Sequence, residues 1–175
     1  MRILLADNAD SFTWNLEHLL AGFFRARVEV APYPPERVRD FDLLVISPGP
    51  GHPREYPAYA PLLDSGAPVL GICLGMQILN EHFGGTTERL PGCVHGRAEP
   101  VDLGGRSLRV ARYHSLHAAT LGRGLEVLAA DAHGLVMALA HETRPLIGFQ
   151  FHPESFLTED GGHCLALAAR RLGLS

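Results

Sequence analysis

The chain has no lysine: all 15 of its basic side chains are arginine. They are scattered without a run that would track a phosphate backbone, and the formal net charge is −4, so no nucleic-acid partner is expected. A lysine-free composition fits a GC-rich genome and a hot habitat equally well, and nothing functional follows from it. No segment approaches the ~20 apolar residues of a membrane span. The apolar run in the opening MRILLADNAD is too short for a secretory signal. A soluble, cytoplasmic protein without a membrane partner is therefore expected. Cysteine is scarce as well. Cys73, Cys93 and Cys164 are odd in number and far apart, which argues against a disulfide framework or a CxxC metal site and leaves room for a reactive thiol.

The 175 residues suffice for one α/β domain with a two-sided core and are too few for two enzymatic domains, so residues 1–175 are read as a single domain. Apolar runs alternate with helical patterns in the first half: strands at Arg2–Ala6, Arg27–Ala31 and Leu43–Ile46, and a helix over Ser11–Phe24. That order predicts a mainly parallel sheet built from βα units and flanked by helices. Asp10 or Ser11 is expected to cap the first helix, with Phe12, Leu16, Leu19, Leu20 and Phe23 in the core. A buried-type strand, Val69–Ile72, leads into a helix over Leu74–Phe83 that Gly84 and Gly85 stop. Past residue 86 short extended segments predict an antiparallel extension, with a hairpin from Glu126 to His141 turning at Asp131–Gly134. A strand over Leu146–Phe151 and a helix over Gly161–Leu172 close the chain.

Three segments carry chemistry. Gly71-Ile72-Cys73-Leu74-Gly75 has the G-x-nucleophile-x-G form, in which a strand turns sharply into a helix. A cysteine there faces the positive end of the helix dipole, and the Leu74 N–H can point at a developing oxyanion. A small buried cysteine at a strand end is the alternative reading. Phe149-Gln150-Phe151-His152-Pro153-Glu154-Ser155 ends a strand with an imidazole and a carboxylate two positions apart, so both side chains can start from one face. A His near a Glu on a surface loop is also commonly only structural. Ser47-Pro48-Gly49-Pro50-Gly51 follows the third strand, where a parallel sheet usually holds its ligand, although a Pro-Gly turn needs no ligand to explain it. His95, His114 and His117 lack metal-ligand spacing, and no metal or cofactor is expected. Met76 fits either an adaptable surface or a core gap, and Gln77 either a helix surface or a site.

Together with Asp7-Asn8, Asp10-Ser11-Phe12-Thr13, Val94-His95-Gly96 and Tyr113-His114-Ser115-Leu116, these motifs resemble the class I, or triad, glutamine amidotransferases over nearly the whole chain. The similarity is to the glutaminase subunits of anthranilate synthase and aminodeoxychorismate synthase. It implies a flavodoxin-like fold, Cys73 as nucleophile with His152 and Glu154 as its partners, and the Gly51 and Leu74 amides as oxyanion hole. It also implies glutamine binding by Gly49, Pro50, Gly51, Gln77 and the Ser115–Leu116 backbone. Met76 stands where that family usually has His, Ala9 where it has an aromatic residue, and Trp14 where it has Tyr.

The chemistry implied is glutamine hydrolysis through a cysteine thioester, with ammonia passed to a larger, chorismate-binding synthase subunit for anthranilate synthesis. The same role in aminodeoxychorismate synthesis is the alternative. More distant rivals are the glutaminase subunit of imidazole glycerol phosphate synthase, a free-standing γ-glutamyl hydrolase, and a silent interaction subunit.

Overall fold

A computed structural model describes residues 1–35, 41–90, 92 and 96–174. Its centre is a seven-stranded sheet. The strands are β1 (Arg2–Asp7), β2 (Arg27–Pro32), β3 (Leu43–Ile46), β4 (Val69–Ile72), β9 (Leu125–Ala130), β10 (Val136–His141) and β11 (Leu146–Phe149). They lie in the order β2-β1-β3-β4-β11-β10-β9. The pairs from β2 through β11 are parallel, and β10 runs antiparallel to both of its neighbours. Because both faces of the parallel part are covered, β3, β4 and β11 are buried at every position, which is why they read as unbroken apolar runs.

Side chains alternate across β1. Ile3 and Leu5 point into a layer with Leu16 and Leu20 of helix α1 (Thr13–Phe24) and with Cys164, Leu165 and Ala168 of α4 (Gly161–Leu172). Leu4 and Ala6 face the opposite layer, with Leu63 of α2 (Ala60–Asp64) and Leu74, Ile78 and Leu79 of α3 (Leu74–His82). The antiparallel extension is two small two-stranded sheets. One pairs β5 (Thr86–Arg89) with β8 (Leu116–Thr120), the other β6 (Arg97–Asp102) with β7 (Ser107–Arg112).

Several expectations change in detail. The first helix starts at Thr13, and its N-cap is Phe12, which makes no side-chain cap bond. Asp10 still serves the helix entry, because its Oδ1 accepts from the Phe12 N–H at 2.8 Å while Asp7 Oδ1 accepts from the Thr13 hydroxyl at 2.7 Å. Phe23 is exposed, not core, and Phe12 and Leu19 are half-buried. The last strand ends at Phe149, two residues early. There the chain leaves the sheet, and the His152 N–H donates instead to the Ala111 carbonyl of β7 at 3.0 Å. Met76 is fully buried beside Gly148, where a Cβ would come within 2.6 Å of its Cγ, so it fills a core gap. The predicted hairpin is β9–β10. Its turn is held by Asp131 Oδ1, which accepts from the His133 and Leu135 N–H groups.

Candidate functional site

Asn8, Ser47–Gly51, Cys73 and Gln150–Glu154 directly follow β1, β3, β4 and β11, four parallel neighbours. All four segments therefore gather at the carboxyl edge of the sheet, where such folds bind ligands.

Cys73 joins β4 to α3 with φ 52° and ψ −101°, a left-handed conformation that a residue with a Cβ rarely adopts. The flanking glycines make the turn possible. A Cβ on Gly71 would fall 2.5 Å from the Gly75 carbonyl, and one on Gly75 would strike the Ile46 backbone. The Cys73 N–H is tied to the Phe149 carbonyl at 2.7 Å, so the thiol projects from a braced elbow. Cys164 is a contrast: burial pushes its thiol up to about 12, leaving it inert. Cys93 lies outside the described residues, as do Val94 and His95.

His152 Nδ1 and Glu154 Oε1 are 2.7 Å apart and both residues are buried. Burial alone would disfavour the imidazolium. The neighbouring Cys73 sulfur and the Glu154 carboxylate, the latter hydrogen-bonded to the ring, outweigh it and raise His152 above its ordinary value. The ring is also held by aromatic neighbours: the Phe12 centroid lies 5.2 Å and the Tyr113 centroid 5.1 Å from it. The Tyr113 hydroxyl in turn meets Ser155 Oγ at 3.1 Å.

Two cavities meet at the thiol. One, of about 260 Å³, is lined by Gly49, Pro50, Gly51, Cys73, Leu74, Gln77, Tyr113, His114, Ser115 and Leu116. It thus brings together the six residues expected to bind glutamine and Leu74 of the expected oxyanion hole, and it places Cys73 on its wall. The other, of about 240 Å³, includes Ser11, Phe12, Cys73 and His152. An amide substrate can enter the first while the imidazole serves the thiol from the second.

Sequence reasoning left several supporting residues without a role. Asn8 clamps the loop after β3: its N–H donates to Ser47 Oγ and its Nδ2 to the Ser47 carbonyl, both at 2.9 Å, while Tyr59 donates to its Oδ1 at 2.7 Å. Gln150 is fully buried, donates from Nε2 toward Cys73 Sγ at 3.6 Å and accepts from Gln77 Nε2 at 3.0 Å. A polar side chain inside the apolar run LIGFQF was the available signal for it. His114 and His117 are occupied by the Leu116 and Ala118 carbonyls, and among the described residues no cluster of three metal-ligating side chains occurs.

A strained nucleophile elbow, an imidazole–carboxylate pair and a backbone-lined cavity at the edge of a parallel sheet can support thiol-based acyl transfer. The chain matches the family of the class-I glutamine amidotransferases over residues 4–172, and it belongs to that family. It is 44% identical over 186 residues to an anthranilate synthase of Azospirillum brasilense, and 41% identical over 183 residues to an aminodeoxychorismate synthase of Streptomyces griseus. These alignments take in 95% of this chain and 25% of each relative, so the chain spans about a quarter of their length. An anthranilate synthase component 2 of Azospirillum brasilense is 40% identical over 178 residues, covering 91% of this chain and 90% of that one. Among solved structures, a glutamine amidotransferase of Thermotoga maritima superposes with a TM-score of 0.76 at 18% identity, covering 88% of this chain and 76% of the other. That likeness concerns the fold.

Proposed function

We propose that this chain is the glutaminase subunit of a chorismate-using synthase, which hydrolyses glutamine through a Cys73 thioester and hands the ammonia to a larger partner subunit. The observation that carries the reading is the joint placement of the Cys73 elbow, the buried His152–Glu154 pair and the cavity walled by Gly49–Gly51, Gln77 and Ser115–Leu116. Glutamine lies in that cavity with its side-chain amide carbon at Cys73 Sγ. The thiol proton passes to His152 Nε2 as sulfur attacks, and the oxyanion is met by the Gly51 and Leu74 N–H groups. Collapse breaks the C–N bond. His152 returns the proton to the departing nitrogen, so ammonia and a γ-glutamyl thioester result. Water then attacks the thioester, again with His152 as base, and releases glutamate and the thiol. Glu154 orients the imidazole and stabilises its charged form.

Relatives aligned along most of this chain carry the names anthranilate synthase component 2 and aminodeoxychorismate synthase, which supports a chorismate-binding acceptor. Anthranilate synthesis is the favoured outcome, with aminodeoxychorismate as the second reading. Cys73→Ala is expected to abolish glutamine-dependent product formation by the assembled synthase while synthesis from added ammonium salt continues. A surviving glutamine-dependent rate would rule out Cys73 as nucleophile. Mass spectrometry of the product formed with each chorismate-binding subunit of the host separates the two pathways.

A further inference from the structure

Arg112 is a fully buried arginine in β7 that the chemistry above does not use. Its Nη1 is paired with Asp131 Oδ2 at 2.9 Å and with Glu99, which anchors it to the β9–β10 turn and to β6. Its Nε donates to His114 Nε2 at 3.1 Å. An arginine only donates, so His114 Nε2 must accept and the ring proton sits on Nδ1. That Nδ1–H points at the Leu116 carbonyl, 2.8 Å away. The same carbonyl also accepts from Gln77 Nε2 at 3.0 Å. A carbonyl cannot donate, so Gln77 must present its NH2 there, and that NH2 also donates to Gln150 Oε1 at 3.0 Å. Gln150 is thereby turned with its own NH2 toward Cys73 Sγ at 3.6 Å. Every link has one permitted direction: donation converges on the Leu116 carbonyl from Arg112 through His114 and from Gln77, and it runs from Gln77 through Gln150 to the sulfur.

We propose that Arg112 and His114 are positioning residues that, through the Leu116 carbonyl, fix the Ser115–Leu116 wall of the glutamine cavity and hold Gln77 and Gln150 so that a Gln150 N–H is aimed at the Cys73 sulfur. Gln150 then touches a reacting atom and steadies the thiolate, whereas Arg112 and His114 act at a distance. The neutral state of His114 fits this part. Burial, and after it the nearby charge of Arg112, holds the imidazole down to about 4 against the pull of the Leu116 carbonyl. A protonated ring would turn an N–H against the Arg112 N–H and break the chain.

The proposal rests on the glutaminase reading for its kinetic arm only. In the full chain, His114→Phe keeps the ring volume and removes both bonds. It is expected to raise KM for glutamine roughly tenfold with kcat within about threefold, and to slow iodoacetamide alkylation of Cys73 at pH 7 about threefold, followed by peptide mass spectrometry. His114→Asn, whose amide can stand where Nδ1–H stood, is expected to recover most of both losses. Unchanged KM and alkylation in a His114→Phe protein that melts like the parent would overturn the idea, as would a folded His114→Asn protein no better than His114→Phe. If neither His114 variant folds, Gln150→Met decides: slower alkylation supports the chain of bonds and an unchanged rate refutes it. Alkylation needs no glutamine turnover, so a parent protein without Cys73-dependent glutaminase activity would sink the functional reading and leave this arm to stand or fall alone.

Discussion

Glu154 and His114 show two ways of tuning an imidazole in one site. Glu154 favours the imidazolium of His152, so replacing it by the neutral, nearly isosteric Gln removes charge stabilisation that the acid–base steps need. Glu154→Gln is expected to lower kcat for glutamine hydrolysis by about 10²–10⁴-fold with KM within about threefold, measured as glutamate release under saturating glutamine. A drop in KM alone would contradict that role. His114 is the reverse case, with its folded value near 4 against 6.5 for the free side chain. Between those two pH values the unfolded chain binds a proton that the folded one refuses, so stability falls as pH drops from about 6.5 to about 4. The contribution is on the order of 3 kcal/mol. Arg112, His152 and His117 all face this ring and oppose its charging. Urea unfolding at pH 7 and pH 5 is expected to show a smaller difference for His114→Asn than for the parent protein. Asp131 moves the other way from what burial alone would do: the Leu135 and His133 N–H groups and Arg112 hold its carboxyl below the ordinary range, consistent with a permanent anchor.

At the scale of elements, the elbow between β4 and α3 tolerates no side chain at its glycines. Gly71→Ala must push a methyl into the backbone of Gly75, 2.5 Å away. It is expected to cost about 3 kcal/mol or more and to displace Cys73. Gly22 offers the control. It sits on the exposed side of α1, and a methyl group added there would have nothing within 4 Å, so Gly22→Ala is expected to stabilise the protein by about 0.5–1 kcal/mol without altering activity. Thermal or denaturant unfolding checks both, and the two changes should differ in sign. The elements themselves were legible where burial or amphipathicity left a period: β1, β3, β4, α3, the β9–β10 hairpin and α4 lie where the residues predict them. The misses occur at ends. Spacing groups Phe12 with the core, yet it sits at the N-cap of α1 and packs on His152, because the helix begins at Thr13, two residues later than predicted. The run LIGFQF reads as strand through Phe151, but the sheet releases it after Phe149, since β7 captures the His152 N–H.

For the whole molecule, the glutaminase reading implies an activity that is restrained until an acceptor is ready, because uncoupled hydrolysis wastes glutamine. The lone chain is expected to hydrolyse glutamine weakly and to be stimulated by its chorismate-binding partner. Equal rates with and without that subunit would point to a free-standing hydrolase. The residues alone were enough to place Cys73 at a strand–helix turn, to pair His152 with Glu154, and to predict a mainly parallel sheet of βα units, because each depends on spacing within a few positions or on local periodicity. Glycine at the elbow and a two-residue step from imidazole to carboxylate are local geometry. What needed the tertiary structure is everything that depends on distance across the chain. Asn8 with Ser47 and Tyr59, Phe12 and Tyr113 around His152, and the bonds from Arg112 through His114, Gln77 and Gln150 to the thiol include partners as far as 77 positions apart in hydrogen-bonded pairs. No periodicity encodes such pairs. They exist because the 2-1-3-4-11 strand order brings the carboxyl ends of separate βα units to one edge, and because a polar group buried there has to find its partner among whatever that edge supplies.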